Sequence, residues 1–302
     1  MRAVWSFWSE PFRRGRGHSW REPRHHWLAW ALSVTLARRH FDALQLVTDA
    51  FGKRMLIDEL GLPFDEVATD LDALCEVDPD WWALGKLKAY SLQTEPFVHL
   101  DADLFLWKPL PTRLTHAPVF AQCPERHGLG DSWGRIVAIA RAFERSGARL
   151  PVEWTFASSR VADGFREENC GIVGGARADF LRHYALTALR LVLEPANAAA
   201  WAELPAGGED NMIVEQFLLA ACADYHAINP RSAFRGIEMR YLFPSWEEAH
   251  DARASAEAGF THLLGPFAKQ NADVAMRLER RVEALAPALA RRCGVIAAHE
   301  FA

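Results

Sequence analysis

The sequence predicts an α/β fold, a mainly parallel central sheet flanked by helices. Short apolar segments alternate with longer segments of helical composition, the pattern of strand–helix–strand units whose strands run parallel. Half of the 302 residues are apolar, enough to bury a large core. No Pro/Gly/Ser-rich linker, low-complexity tract or repeat divides them.

The elements follow in order. Ala3 to Trp8, apolar and aromatic, makes a first strand. After an Arg-rich loop, Trp27 to Arg39 has helical composition and periodicity, Leu44 to Thr48 is a short strand ending at Asp49, and Lys53 to Leu60 is helical. Glu66 to Thr69 reads as a strand, Trp81 to Leu92 as a helix and Phe97 to Leu100 as a buried strand. Near the end, Val274, Met276, Leu278, Val282, Leu285 and Leu289 alternate with Arg277, Arg280, Arg281 and Arg291, which predicts an amphipathic helix from Asp273 to Arg292. Within residues 272–302 it is expected to pack on the domain. A basic amphipathic helix also suits an anionic membrane surface, and that alternative stays open.

The Phe97 to Leu100 strand runs into Asp101 and Asp103, and the chain continues apolar through Leu104, Phe105, Leu106 and Trp107. In an extended segment residues i and i+2 point to one side. Two carboxylates so placed can converge on a hard cation that prefers oxygen ligands, Mn²⁺ or Mg²⁺. Such an ion neutralises a departing diphosphate, the central demand of transfer from a nucleotide-sugar. Two other Asp-x-Asp triplets, Asp70-Leu71-Asp72 and Asp78-Pro79-Asp80, sit among polar residues and further acids and are expected in solvated loops.

Composition limits the partners. Lys and Arg number 34 against 39 Asp and Glu, a net charge of −5, which disfavours a dedicated nucleic-acid binder and favours a small-molecule partner. No run of about 18 apolar residues predicts an integral membrane segment, and the first residues lack a signal-peptide layout, so a cytoplasmic location is expected. Cys75, Cys123, Cys170, Cys222 and Cys293 have no Cys-x-x-Cys spacing and read as reduced core thiols.

Three patches follow in the second half. Asn169-Cys170-Gly171 opens a small-residue strand, where glycines allow close approach of a ligand or backbone. Gly207-Gly208-Glu209-Asp210-Asn211 is a glycine turn into acids at a helix start. His262-Leu263-Leu264-Gly265 is followed by Lys269.

Taken in order with Lys86-Leu87-Lys88-Ala89-Tyr90-Ser91-Leu92 and His99-Leu100-Asp101-Ala102-Asp103, these patches resemble the motif series of GT-A glycosyltransferases of the glycogenin and galactosyltransferase-like (family 8) type, over roughly residues 1–270. The chain is also similar to bacterial proteins of unassigned function with a predicted nucleotide-sugar transferase fold. The resemblance implies one GT-A domain over 1–302 that moves a sugar from a nucleotide-sugar, a UDP-sugar, to an acceptor with retention of configuration. It implies Asp101, Asp103 and His262 as metal ligands. It implies Phe7, Lys86, Asp101, Gly171, Gly265 and Lys269 as donor-binding residues, and Asn169 with Glu209 or Asp210 as catalytic ones. The late loop is one residue longer than the family's His-x-x-Gly-x-x-Lys, and Glu209-Asp210-Asn211 stands where the family has an Asp-Gln pair, so either acid can face the sugar.

The residues themselves supply one candidate for each need of metal-assisted sugar transfer: a cation site, cationic groups for the diphosphate, and a carboxylate or amide for the anomeric carbon. Two other readings stay open. A sugar-phosphate nucleotidyltransferase shares the doubly wound sheet and carboxylate-held cation, though Arg14-Gly15-Arg16-Gly17 only loosely imitates its loop after the first strand. A non-catalytic nucleotide-sugar-binding protein is the other. The segment Arg13 to Arg21 reads as a solvated loop or as a lid. Trp27, Trp30, Trp81 and Trp82 are expected in the core, with Trp107 and Trp133 as acceptor-stacking candidates.

Overall fold

Mostly apolar segments without strict alternation, such as Ala3-Val4-Trp5 and Leu46-Val47, mark strands covered on both faces, and parallel pairing is where such strands occur. The computed structural model describes residues 1–15, 19–160, 164–204 and 209–300, and divides the chain into two compact units. The first comprises Met1–Lys86, Phe97–Pro111 and Ala252–Ala302; the second comprises Leu87–Pro96 and Thr112–Asp251.

In the first unit, β1 (Arg2–Phe7), β2 (Leu44–Thr48), β3 (Glu66–Ala68) and β4 (Phe97–Leu100) lie in the order β4-β1-β2-β3, every pair parallel. The helix Pro23–Ala37 starts earlier than its apolar periodicity indicates. Pro23 occupies the first turn, and Glu22 and His25 close a reciprocal capping box around it. Trp27 and Trp30 of this helix are fully buried with Trp5 of β1. The helix after Asp49 begins as Ala50–Lys53, capped by the Asp49 side chain on the Gly52 N–H, and continues as a π-helical turn, Arg54–Glu59. The Trp81 to Leu92 segment is helical only over Leu84–Ser91, so Trp81 and Trp82 stay half-buried instead of joining the core.

The carboxylate pair does not sit in an extended strand. Asp101 to Leu104 forms a tight turn, with the Leu104 N–H donating to the Asp101 carbonyl at 3.1 Å. The chain then enters β5 (Leu104–Leu106), which pairs antiparallel with the strand Phe260–His262, His262 opposite Leu104. The predicted single helix Asp273 to Arg292 is two helices, Ala272–Leu285 and Pro287–Glu300, hinged at Ala286. Pro287 has no N–H and restricts the residue before it, and Ala286 leaves the helical region at φ −149°, ψ 63°. Ala275, Leu278, Val282, Cys293 and Ile296 are buried, so this segment packs within the first unit.

The second unit holds a mixed set of strands. Val119–Ala121 pairs parallel with Met239–Tyr241 and antiparallel with Ile172–Gly175, and Pro124–His127 pairs antiparallel with Phe165–Glu168. The chain is therefore α/β, with parallel pairing predominant but not exclusive. Helices Ala178–Leu193 and Leu218–Ile228 pack on these strands, and Val152–Ser158 packs on Leu218–Ile228. Among the described residues no helix is long and apolar enough to cross a membrane. Four cysteines are buried as expected, while Cys75 is exposed.

Candidate functional site

The turn after β4 sets two carboxylates against residues from the far end of the chain. The His262 Nε2 lies 3.5 Å from Asp103 Oδ1 and 4.0 Å from Asp101 Oδ2. The Leu263 N–H donates to the Asp103 carbonyl at 3.0 Å, so the antiparallel ladder fixes this approach. Lys86 Nζ, from the start of the Leu84–Ser91 helix, sits 2.8 Å from Asp101 Oδ1. Lys269 Nζ sits 2.6 Å from Asp103 Oδ2. Gly265 makes the last approach possible: at φ +67° it turns the chain from the His262 strand into the helix Gly265–Gln270, a conformation that a side chain would strain.

Burial governs the electrostatics. It pushes the Asp101 carboxyl above its ordinary range, with Asp103 adding to the effect and Lys86 and His262 opposing it. At Asp103 burial acts the same way, but Lys269 and His262 outweigh it and hold the carboxyl well below its ordinary range. His99, in β4 two residues before Asp101, places Nδ1 3.8 Å from Asp101 Oδ1 and Nε2 2.9 Å from Ser6 Oγ. Burial and then Lys86 push its imidazole well down.

A cavity of about 270 Å³ adjoins the carboxylates. Phe7, Phe12, Trp20, His26 and Trp82 line it together with Lys86 and Lys269. Gly85 lets the Lys86 helix come this close, since a Cβ there would lie 2.8 Å from Trp8 Cβ. Burial, then Lys269, lowers the His26 pKa to about 3, and its buried Nε2 has no hydrogen-bond partner among the described residues. Trp20, His26, His99 and Trp82 were not among the sequence-predicted site residues. The strand spacing of His99 and Asp101 was the one local signal that could have drawn attention to any of them.

The remaining predicted residues lie in the second unit. Asn169 is buried; its Nδ2 donates to Glu125 Oε1 at 2.6 Å, and its Oδ1 accepts from the Gly171 N–H at 3.1 Å. Asp210 is buried and held by Arg135 through two bonds of 2.6 Å. Gly207 and Gly208 lie outside the described residues, as does the Glu209 side chain. So do Arg16, Gly17 and His18 of the basic loop, whose described flank ties to the Lys269 helix through the Arg21 N–H and the Lys269 carbonyl. The acids of the other two Asp-x-Asp triplets are exposed, as expected. Trp107 is partly exposed and spans β5 to Thr261, and Trp133 packs on Phe165. A larger cavity of about 810 Å³, between Arg126, Phe156, Arg166 and Asp224, holds none of the predicted site residues.

Beside Asn169, the fully buried Glu168 gives a pH signature. Burial pushes its carboxyl from an ordinary 4.5 up to about 7, against the pull of Arg166 and Tyr241. Between those values the folded chain keeps a proton that the unfolded chain has released, so stability falls as pH rises through the window. Glu168→Gln is expected to flatten that fall, gaining on the wild type by up to about 3 kcal/mol between pH 4.5 and 8. Parallel melting curves of the two proteins across this range would show no convergence or crossing if Glu168 were ordinary.

Three groups of side chains among the described residues bring potential metal donors within 4.8 Å of one another: Asp101, Asp103 and His262; Glu153, His183 and His226; and Glu125, His127 and Glu167. The sequence anticipated the first alone. The family described as "Family of unknown function (DUF6734)" matches residues 1–293, and the chain belongs to it. No curated protein matches the chain.

Proposed function

We propose that this member of the DUF6734 family is a metal-dependent glycosyltransferase of the GT-A type, taking a sugar from a nucleoside diphosphate, a UDP-sugar, to an acceptor with retention. The observation that carries the reading is the meeting of Asp101, Asp103, His262, Lys86 and Lys269 from separate chain segments beside an aromatic cavity. Carboxylate oxygens with one imidazole suit Mn²⁺, and also Mg²⁺. Donors about 2.1 Å from such an ion lie about 3 Å apart. The His262 separations of 3.5 and 4.0 Å therefore need closure of about 0.5 and 1 Å.

A divalent cation held by Asp101, Asp103 and His262 would supply Lewis-acid stabilisation of the departing diphosphate. The protein's own groups do the rest. Lys86 and Lys269 offset the two carboxylates one for one, and with a cation held by Asp101 and Asp103 both ammoniums would be available to phosphate oxygens. The aromatic wall of Phe7, Trp20 and Trp82 offers faces for a nucleobase. Asn169 with Glu209 or Asp210 is assigned to the transferred sugar, Arg135 orienting Asp210.

The test is release of UDP from a panel of nucleotide-sugars with Mn²⁺ and with EDTA. The proposal expects slow, metal-dependent UDP release from at least one. Pyrophosphate formation from UTP and a sugar phosphate would replace it with nucleotidyl transfer. Metal-dependent binding without UDP release or transfer would favour a non-catalytic binder, a reading consistent with the engagement of Asp210 by Arg135.

His262→Ala is expected to weaken Mn²⁺ and UDP-sugar together by about 100-fold or more. It should also lower the metal-free melting temperature by a few degrees, because the buried ring hydrogen-bonds Asp103. Unchanged Mn²⁺ affinity in calorimetry would remove His262 from the ligand set.

A further inference from the structure

In the second unit, three helices each direct one metal-binding side chain to a common point. Glu153 comes from Val152–Ser158, His183 from Ala178–Leu193 and His226 from Leu218–Ile228. His226 Nε2 lies 2.9 Å from His183 Nε2 and 3.1 Å from Glu153 Oε1, and His183 Nε2 lies 3.1 Å from the same Oε1. Two imidazole nitrogens at 2.9 Å cannot both carry a proton on that side. At least one presents a bare lone pair to the cluster.

We propose that Glu153, His183 and His226 form a binding site for a divalent transition-metal ion of the zinc type, separate from the Asp101, Asp103 and His262 cluster. The triangle of donor atoms has the required size. An ion about 2.1 Å from each atom fits roughly 1 Å above its centre. Two imidazoles and one carboxylate are a donor set that zinc takes in three-ligand sites, leaving one position for solvent. Glu153 and His183 line a cavity of about 540 Å³, which gives that position access to water.

The surroundings orient the donors as metal sites require. His226 Nδ1 lies 2.7 Å from Ser232 Oγ, whose position is set by the Phe234 N–H at 2.9 Å. With Nδ1–H donating to that hydroxyl, Nε2 is the bare nitrogen facing Glu153. Rings of Phe180, Tyr225 and Phe234 surround His226, and Phe234 also packs on His183, enclosing the polar cluster in an apolar shell. No part of the proposed sugar-transfer chemistry uses these residues.

The experiment is Zn²⁺ competition against a chromophoric chelator on the full chain, followed by Co²⁺ titration read in the visible region. The wild type is expected to bind one Zn²⁺ that the Asp103→Ala protein keeps. His183→Gln and His226→Gln are each expected to lose at least about 100-fold in Zn²⁺ affinity, and Ser232→Ala about 10-fold, with melting curves verifying that each variant is folded. His183 is partly exposed and provides the variant least exposed to a folding defect. No Zn²⁺ bound by the wild type, equal affinity in the folded His183→Gln protein, or loss of the ion in Asp103→Ala instead would each overturn the site.

Discussion

Replacing Asp103 with alanine is expected to cut Mn²⁺-dependent binding of a UDP-sugar by about 100-fold or more. Residues that merely orient metal ligands are worth 10- to 100-fold, and Asp103 is proposed as a direct ligand. Its carboxylate is the more strongly ionised of the pair, since Lys269 and His262 outweigh its burial. The same substitution removes the ion pair that holds Lys269 2.6 Å away, so the ammonium loses its fixed position beside the cavity. The metal-free fold should survive, because Asp103 lies in a turn and its backbone bond to Leu263 needs no side chain. Calorimetric titration of the variant with donor in Mn²⁺ checks this; wild-type affinity and metal dependence would remove Asp103 from the site.

Truncation after Asn271 is expected to be the most destabilising of these changes, lowering the melting temperature by more than about 10 °C or preventing folding. It removes Ala275, Leu278, Val282, Cys293 and Ile296 from the core of the first unit. Each large buried side chain costs about 2 kcal/mol or more to lose, and a whole domain commonly has only 5–15 kcal/mol of stability. Polar ties go with them. Glu279 accepts from His25 and Arg24 at 2.7 Å, and Arg292 donates to the Leu60 carbonyl at 2.9 Å. A truncated protein that melts like the full chain but no longer sediments with anionic vesicles would establish the membrane reading of this segment instead.

The alternation of β1 to β4 with helices was legible because each strand is a short apolar run bounded by polar residues, and parallel pairing follows from that alternation. The carboxylate pair was legible for a related reason: Asp101 and Asp103 interrupt a run that otherwise reads as core. Their true geometry was not. A tight turn and an extended strand both bring carboxylates two residues apart together, and spacing does not separate them. Pro287 marked the break in the terminal helix, but the apolar spacing runs across it and suggested continuity. The Glu153, His183 and His226 cluster left no local trace, because its members are 30 and 43 residues apart and meet only when three helices pack. Trp20, His26 and Trp82 were hidden similarly; aromatic residues in helical or loop contexts carry no mark of the cavity they line.

Calorimetric titration of the full chain with UDP, in Mn²⁺ and again in EDTA, tests the central claim most directly. The account predicts one UDP per chain in Mn²⁺, binding at least about 100-fold weaker in EDTA, with Asp101→Asn/Asp103→Asn behaving in Mn²⁺ as the wild type does in EDTA. UDP affinity equal in both solutions, or no UDP binding in either, would contradict it.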